Sequence, residues 1–182
     1  MSPKPSQRLV IDASVARACG GSDAIYPTSK HCRDFLQAVV DICHQLVMSP
    51  EIRAEWDMHQ SRWARKWRVS MVARRKLCVV APPSDQNLRD GLARGRHATR
   101  DVDEMLKDVH LLEAALATDR CIVSLDEAAR ALFTSMSGTV GSLRSIAWVN
   151  PDQLDEAPIA WLQKGARTER QRLLGGEATE SG

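Results

Sequence analysis

The sequence has few aromatic residues, no long apolar run and no pair of cysteines at metal-binding spacing. Aromatics make up 4% of its 182 residues and Trp supplies five of them, so aliphatic side chains must form most of the core. No stretch approaches the roughly 20 apolar residues that a membrane-spanning helix needs. The run Leu9-Val10-Ile11 is too short for the core of a signal peptide. We therefore expect no membrane segment and a cytoplasmic protein.

Cysteine usage points to the same compartment. The five cysteines are odd in number and widely spaced, which argues against a disulfide framework and against a structural zinc site. They are Cys19, Cys32, Cys43, Cys78 and Cys121. Several lie among apolar residues, so we expect reduced and mostly buried thiols.

An excess of one charge is also lacking, since 25 Lys and Arg face 23 Asp and Glu for a total of +2. Positions 53–100 nevertheless carry twelve basic residues against four acidic ones, and positions 101–127 carry eight acidic against two basic. This asymmetry predicts an acidic centre beside a basic surface, as a protein that holds a polyanion next to metal ions would need. Solvated helix faces give similar counts, so both interpretations stay open here.

Short apolar runs alternate with amphipathic segments along the chain. Strands are predicted at 8–11, 46–49, 77–80, 121–124 and 145–149. Helices are predicted at about 29–45, from Pro50 onward, and at 60–75, 101–118, 127–133 and 152–163. Such alternation is typical of βαβ units, so we expect an α/β fold, a three-layer α/β/α sandwich with a mainly parallel central sheet.

The remaining segments are predicted to lack regular structure. Pro82-Pro83 opens a polar connection that continues to Gly95, and residues 134–142 form a loop rich in Ser, Thr and Gly. Residues 164–182 are polar, and we expect a loosely ordered tail with a possible role in partner binding. The predicted folded domain is therefore 1–151, followed by a C-terminal helix and flexible tail at 152–182.

Four acidic residues stand where an α/β sheet would present them at one edge. Asp12 and Asp126 follow the first and fourth predicted strands, whose carboxyl ends border the usual ligand crevice of a parallel sheet. Glu55 lies early in the helix after the second strand, and Asp108 lies in the long helix before the fourth. Clustered carboxylates repel one another unless cations compensate, and oxygen-only donors favour Mg²⁺ or Mn²⁺ over zinc. Taken alone, each acid is also explained as a helix cap or a solvated turn.

Other acids near these positions are better explained as structural. Glu51 is an alternative to Glu55 as the ligand on its helix, but a first-turn position makes stabilisation by the helix dipole the simpler role. The others fit a solvated helix start or a turn: Asp101, Asp103, Glu104 and Asp119.

Five segments of the chain resemble, in order, the motifs of PIN domains. They are Arg8-Leu-Val-Ile-Asp12-Ala-Ser14-Val15, Met48-Ser-Pro-Glu-Ile-Arg-Ala-Glu55-Trp56, Lys107-Asp108-Val-His-Leu-Leu-Glu-Ala-Ala-Leu116, Cys121-Ile-Val-Ser124-Leu-Asp126 and Ser145-Ile-Ala-Trp148-Val-Asn-Pro151. The resemblance covers about residues 8–151 and identifies 1–151 as a PIN-like nuclease domain. PIN domains are Mg²⁺- or Mn²⁺-dependent ribonucleases, and many are toxins of bacterial toxin–antitoxin pairs of the VapC type.

The resemblance implies specific roles for residues of this chain. It makes the catalytic and metal-binding residues Asp12, Glu55, Asp108 and Asp126. It also implies that Ser14 orients Asp12, and it gives Ser124 the place of the hydroxyl residue two positions before the last acid. Ala128 departs from the family, since many relatives carry a further Asp there and Glu127 would point differently. Whether the site holds one metal ion or two therefore stays open.

A basic segment with two tryptophans follows Glu55 and contains seven basic residues and no acid between positions 62 and 76. Trp56, Trp63 and Trp67 are spaced seven and four apart, so they share one helical face, which we expect to pack inward. The cations are then either solvated or bind RNA phosphates with salt-sensitive affinity, while a partly exposed Trp could stack on a base. The candidate RNA-binding residues are Arg62, Arg65, Lys66 and Arg68.

The sequence thus predicts a metal-dependent endoribonuclease that uses water to cleave RNA and leaves 5′-phosphate and 3′-hydroxyl ends. A toxin role, an antitoxin partner and a homodimer are further expectations from the resemblance. The alternative is a non-catalytic RNA-binding or scaffold protein with a degraded PIN metal site, which Ala128 motivates. A phosphatase of another α/β class is disfavoured because its Asp-x-Asp nucleophile motif would need an acid at Ser14.

Overall fold

The computed structural model describes residues 6–21 and 23–176. Its centre is one five-stranded sheet in which every neighbouring pair is parallel. The strands are β1 (Arg8–Ile11), β2 (Gln45–Met48), β3 (Leu77–Val79), β4 (Cys121–Val123) and β5 (Ala147–Val149). All five strands predicted from short apolar runs are confirmed, with bounds that differ by two residues at most.

The strand order β3-β2-β1-β4-β5 places β1 at the centre of the sheet. Val10 of β1 lies opposite Val47 of β2 on one side and Ile122 of β4 on the other. The chain therefore builds the sheet outward from β1 to β3 and then returns to add β4 and β5. The reversal falls between β1 and β4, and a crevice opens outside the carboxyl ends of such a pair.

The helices form two groups. They are α1 (Ala13–Ala18), α2 (Pro27–Ile42), α3 (Pro50–His59), α4 (Arg62–Ala73), α5 (Gln86–Ala93), α6 (Thr99–Lys107), α7 (Val109–Leu116), α8 (Glu127–Met136) and α9 (Pro158–Gln163). The first four contact one another and α9 packs on α2, whereas α6 contacts α5, α7 and α8. Right-handed crossovers with a reversal of strand order put the two groups on opposite faces of the sheet. The α/β architecture is compatible with a three-layer sandwich.

The core lies on both faces of the central strands. Every residue of β4 and β5 is buried, as are Leu9, Val10 and Ile11 of β1. Three tryptophans are among the largest fully buried side chains: Trp56, Trp148 and Trp161. Only β3, at the edge, leaves an apolar side chain open to solvent, because Val79 is 66% exposed.

The predicted polar connection after Pro83 is wrong, because residues 86–93 form helix α5. The Asp85 side chain accepts a hydrogen bond from the Leu88 amide at 3.0 Å and so caps the helix start. Leu88 and Leu92 are buried. Gly91 suggested a loop, but here it allows close packing, since a Cβ would lie 3.0 Å from Val140 Cγ2.

The single helix predicted at 101–118 is also wrong, because α6 and α7 are separate and meet at Asp108. The backbone of Asp108 has φ −95° and ψ 2°, and the Leu111 amide donates to its carbonyl oxygen at 3.0 Å. This hydrogen bond between residues i and i+3 is of the 3₁₀ type, so it tightens the turn and interrupts the α-helical repeat. The break changes the direction of the chain at the residue predicted to bind metal.

The segment after α9, expected to be loosely ordered, packs against the sheet as far as Gly176. Leu173 forms an antiparallel bridge to Ala147, and the Leu174 amide donates to the Ile146 carbonyl oxygen at 2.9 Å. The Arg172 guanidinium lies 5.5 Å from the centre of the Trp161 ring. The rest of the predicted tail, 177–182, lies outside the described residues.

Helix ends account for the other differences from the sequence prediction. Helix α2 ends at Ile42 rather than near position 45, because Cys43 adopts the left-handed conformation with φ 74°. Helix α8 extends to Met136, and a 3₁₀ turn at Gly141–Ser145 occupies the end of the predicted loop. The predicted helix at 152–163 is a 3₁₀ turn at Leu154–Glu156 followed by α9.

His44 provides a pH-dependent element of stability. It is fully buried, accepts a hydrogen bond from the Gln7 amide at Nδ1 (3.0 Å), and donates from Nε2 to the Leu162 carbonyl oxygen (3.0 Å). If Nδ1 took up a proton, the Nδ1–H and the Gln7 N–H would both be donors and this hydrogen bond would be lost. Burial lowers the pKa of His44 from its ordinary value of 6.5, and the charge of Lys76 lowers it further.

We expect His44 to make the free energy of unfolding fall as the pH drops from about 7 to 5. The unfolded chain takes up a proton near pH 6.5 while the folded chain resists it, so His44 alone contributes a slope of up to about 1.4 kcal/mol per pH unit. His44→Gln removes this titration. Urea unfolding at several pH values should show the gap between wild type and His44→Gln narrowing toward pH 5; two parallel curves would contradict the prediction.

Candidate metal centre

Acidic residues from several elements meet outside the carboxyl ends of β1 and β4. Asp12 directly follows β1, and Asp126 caps the start of α8, three residues after β4. A cleft of about 170 Å³ at this edge is lined by three of the predicted ligands, Asp12, Glu55 and Asp108, together with Ser14. The reversal of strand order thus coincides with the cleft, as the general rule for open α/β sheets requires.

Two serines connect Asp12 to the chain after β4. Ser124 Oγ donates to Asp12 Oδ2 at 2.8 Å, and Ser14 Oγ donates to the same oxygen. In return, Ser124 Oγ accepts from the Asp126 amide at 3.1 Å and Ser14 Oγ accepts from the Leu125 amide at 3.3 Å. Both serines therefore hold Asp12 in a fixed position relative to the loop that carries Asp126, which is the orienting contact expected of them.

The pKa of Asp108 shows how strongly the cleft disfavours negative charge. The pKa of this carboxyl is raised to about 6, mainly by burial and to a smaller extent by the negative charges of Asp12 and Asp126. His110 and Lys107 act in the opposite direction. Asp126, although it does not line the cleft, is thus close enough to affect Asp108. The negative charges of Asp12 and Asp126 beside the buried carboxyl of Asp108 create a place where a cation is stabilised.

Glu55 is held by a histidine that no sequence motif indicated. His110 is buried on α7, and its Nε2 lies 3.1 Å from Glu55 Oε2 on α3. The other ring nitrogen, Nδ1, lies 3.0 Å from the Lys107 carbonyl oxygen. The ring therefore joins α3 to the chain around Asp108 and fixes the direction of the Glu55 side chain.

The donor atoms fit a hard cation, although they are not gathered around one point. Within residues 6–21 and 23–176, no three His, Cys, Asp or Glu side chains form a group that could hold a metal ion as placed. One carboxylate oxygen of each of three acids already has a partner in the protein. His110 contacts Glu55, the two serines donate to Asp12, and the Ala129 amide donates to Asp126 at 2.8 Å. Each retains a second carboxylate oxygen without a hydrogen bond to the described chain. These oxygens are the donors that Mg²⁺ and Mn²⁺ prefer.

Glu127 does not replace the acid absent at Ala128. Its Oε1 accepts a hydrogen bond from Asn150 Nδ2 at 2.8 Å, and Arg130 lies 3.4 Å from the same atom. The side chain is thus engaged on the β5 side of α8.

A larger cavity of about 670 Å³ lies between α8 and the C-terminal segment, but its cations are already paired. Arg130 pairs with Glu156, and Arg172 pairs with Glu169 at 2.9 Å. Because its cations are neutralised within the protein, the smaller acidic cleft is the better candidate for chemistry.

The basic helix α4 does not contribute to the cleft lining. None of the four predicted RNA-binding residues, Arg62, Arg65, Lys66 and Arg68, lines it, and Arg68 pairs with Asp57 instead. The expectation that the tryptophans pack inward is confirmed for Trp56 and Trp67, which are buried with ring centres 6.1 Å apart. Trp63 is half-buried against the same core.

Two cations and one histidine also line the cleft and were not predicted from the sequence: Arg17, Lys107 and His59. Helical spacing carried a usable signal for His59, which lies four residues after Glu55 on the same helix face. Lys107 directly precedes Asp108 in the sequence.

Comparison with protein-family models, with curated proteins and with solved structures finds no match to this chain. The fold and site define an α/β protein with an all-parallel five-stranded sheet and a carboxylate cleft where the strand order reverses. Among the described helices, none has both the length and the apolar character needed to cross a membrane.

Proposed function

We propose that this protein is a PIN-like, metal-dependent endoribonuclease that acts in the cytoplasm. The observation that supports it best is the convergence of carboxyls from separate elements at the β1–β4 edge, where Asp12 and Asp126 raise the pKa of Asp108. Such an arrangement opposes folding unless a cation compensates it. The order of the acidic motifs along the chain, which resembles that of PIN domains, supplies the reaction class.

In this proposal each residue of the cleft has a separate task. Asp12, oriented by Ser14 and Ser124, would hold Mg²⁺ or Mn²⁺ together with Asp108 and Asp126, and Glu55 would approach from α3. When bound, the ion neutralises charge on the phosphate and assists in-line attack by water. The protein then contributes positioning and electrostatic stabilisation, with no covalent intermediate. The products carry 5′-phosphate and 3′-hydroxyl ends.

Two observations favour a second candidate, a non-catalytic RNA-binding or scaffold protein with a degraded site. The carboxylates are not gathered into a metal-holding group among the described residues, and Ala128 supplies no further acid. A toxin role, with an antitoxin partner and a homodimer, belongs to the nuclease proposal and rests on the family resemblance alone.

The test is metal-dependent cleavage by the full-length wild-type protein. We expect RNA to be cut in Mn²⁺ or Mg²⁺ and to stay intact in EDTA, with activity returning when the metal is restored. Sequencing of the products should show 5′-phosphate and 3′-hydroxyl ends. RNA that stays intact in Mn²⁺, with no metal-induced rise in thermal stability, would contradict the nuclease and favour the scaffold.

A further inference from the structure

Two cations and one histidine of the cleft form what we call the cationic rim: Arg17, Lys107 and His59. They come from three different helices, α1, α3 and α6, and each lies in the last turn of its helix. All three are exposed. A cation near a helix C-terminus gains about 0.3–1 kcal/mol from the dipole, but this does not explain why three such residues face one acidic cleft.

The side chains of the rim are largely free of ion pairs within the described part of the protein. In the described part of the chain, the side chains of Arg17 and His59 form neither a hydrogen bond nor an ion pair. Lys107 Nζ lies 4.0 Å from Glu104 Oε2, and both side chains are largely exposed, so this pair contributes little. The rim residues thus stand beside Asp12, Glu55 and Asp108 while their hydrogen-bond donors stay available to a ligand.

Two cations of α4, Arg65 and Arg68, lie near a different acid. The Arg68 guanidinium pairs with Asp57, and the charges of Arg68, Arg53 and Arg65 lower the pKa of that carboxyl. Asp57 lies two residues after Glu55 on α3, which is about 200° around the helix axis. This basic group therefore lies on a different side of α3 from the cleft.

We propose that Arg17, His59 and Lys107 bind the RNA backbone phosphates on either side of the bond that the acidic cleft cleaves. The inference rests on the proposed nuclease function and assigns its substrate contacts to the rim rather than to α4. Carboxylates alone would repel a phosphodiester, so cations beside Asp12 and Asp108 add to the attraction that a bound metal ion would exert on the phosphates. Contacts of this type fix the register of a strand and carry no sequence information.

The test measures RNA binding without cleavage, in the full chain carrying Asp12→Asn. The probe is a fluorescent single-stranded RNA oligonucleotide, titrated at several salt concentrations. Each change of Arg17, His59 or Lys107 to Ala is expected to weaken binding about fivefold. The triple variant should also lower the slope of log K against log salt by about 1.4, because Arg17 and Lys107 each neutralise one phosphate and a single-strand contact contributes roughly 0.7. The His59 ring contributes a hydrogen bond rather than a charge. Arg17→Lys should keep most of the slope.

The matched variant removes the same number of cations, one Arg and one Lys, from α4, as Arg62→Ala and Lys66→Ala together. A smaller loss of slope than in the rim variant supports the proposal. An equal or larger loss, or unchanged binding in the rim variant, overturns it. The nuclease proposal is judged separately by metal-dependent cleavage in the wild type, so cleavage with an ineffective rim rejects only the rim. Loss of binding in the rim variant without wild-type cleavage rejects the nuclease and leaves the rim as an RNA-binding site of a non-catalytic protein.

Discussion

Changing Asp12 to Asn is expected to lower metal-dependent RNA cleavage by about a thousandfold or more while the fold stays intact. The ion's stabilisation of charge in the transition state amounts to several kcal/mol, and about 4 kcal/mol corresponds to a thousandfold in rate. Asp12 stands at the centre of the cleft and is one of the charges that raise the pKa of Asp108. Without its negative charge the cleft attracts a cation less strongly.

The fold should tolerate this substitution for a specific reason. The hydroxyls of Ser14 and Ser124 both donate to Asp12 Oδ2, and the amide oxygen of Asn can accept both bonds. Removing one of several mutually repelling carboxylates also relieves strain in the metal-free protein. Thermal unfolding should therefore occur at an unchanged or slightly higher temperature.

Asp57→Asn is the matched control, because it makes the same substitution on an exposed acid outside the cleft. Its cleavage rate should stay within about twofold of wild type, since an exposed ion pair contributes little. Full activity of Asp12→Asn in Mn²⁺, or an equal loss in both variants, would remove Asp12 from the metal centre.

The sheet was predictable because its strands are buried on both sides. Leu9, Val10 and Ile11 form a continuous apolar run, and a strand inside a parallel sheet has no solvent face that would break such a run. The same logic placed Asp12 and Asp126 near one edge, since parallel strands end together. The order of the strands in the sheet could not be predicted from any single apolar run, because it depends on which helices pack on which face.

The helical interruptions were not predictable from local patterns. Gly91 has the low helix propensity of a loop residue, and only its contact with Val140 explains its place inside α5. The amphipathic pattern through 101–118 continues across the break at Asp108, so periodicity alone could not reveal two helices. In both cases a tertiary contact or a tight turn overrides the local preference.

Within the site, the sequence indicated the acids and the two serines beside Asp12, but neither the partner of Glu55 nor the rim. His110 contacts Glu55 across 55 positions of sequence, and the cationic rim gathers residues from three helices. The basic stretch at 62–76 was predicted to bind RNA because its charges are close together in the sequence, whereas the rim residues are far apart in the sequence. Local charge density therefore indicated α4, although the fold brings isolated cations to the cleft.

Changing Trp56 to Ala is expected to lower the free energy of unfolding by about 3–5 kcal/mol, as for other large core deletions. The side chain is fully buried, stacks on Trp67, and its Nε1 donates to the Ile11 carbonyl oxygen at 2.8 Å. It thus joins α3, α4 and β1 at one point. Because Ile11 precedes Asp12 and Glu55 precedes Trp56, this one ring also helps to position two residues of the cleft.

Urea unfolding should measure this loss, with Trp56→Phe as a milder variant if the Ala variant does not fold. Phe keeps most of the apolar area but leaves the Ile11 carbonyl oxygen without this donor, so a loss of about 1–3 kcal/mol is expected. Trp63→Ala, at a half-buried position on α4, should lose less than Trp56→Ala because part of its ring is already in contact with water. An equal loss at both positions would contradict the role given to Trp56, since burial and the bond to Ile11 distinguish it from Trp63.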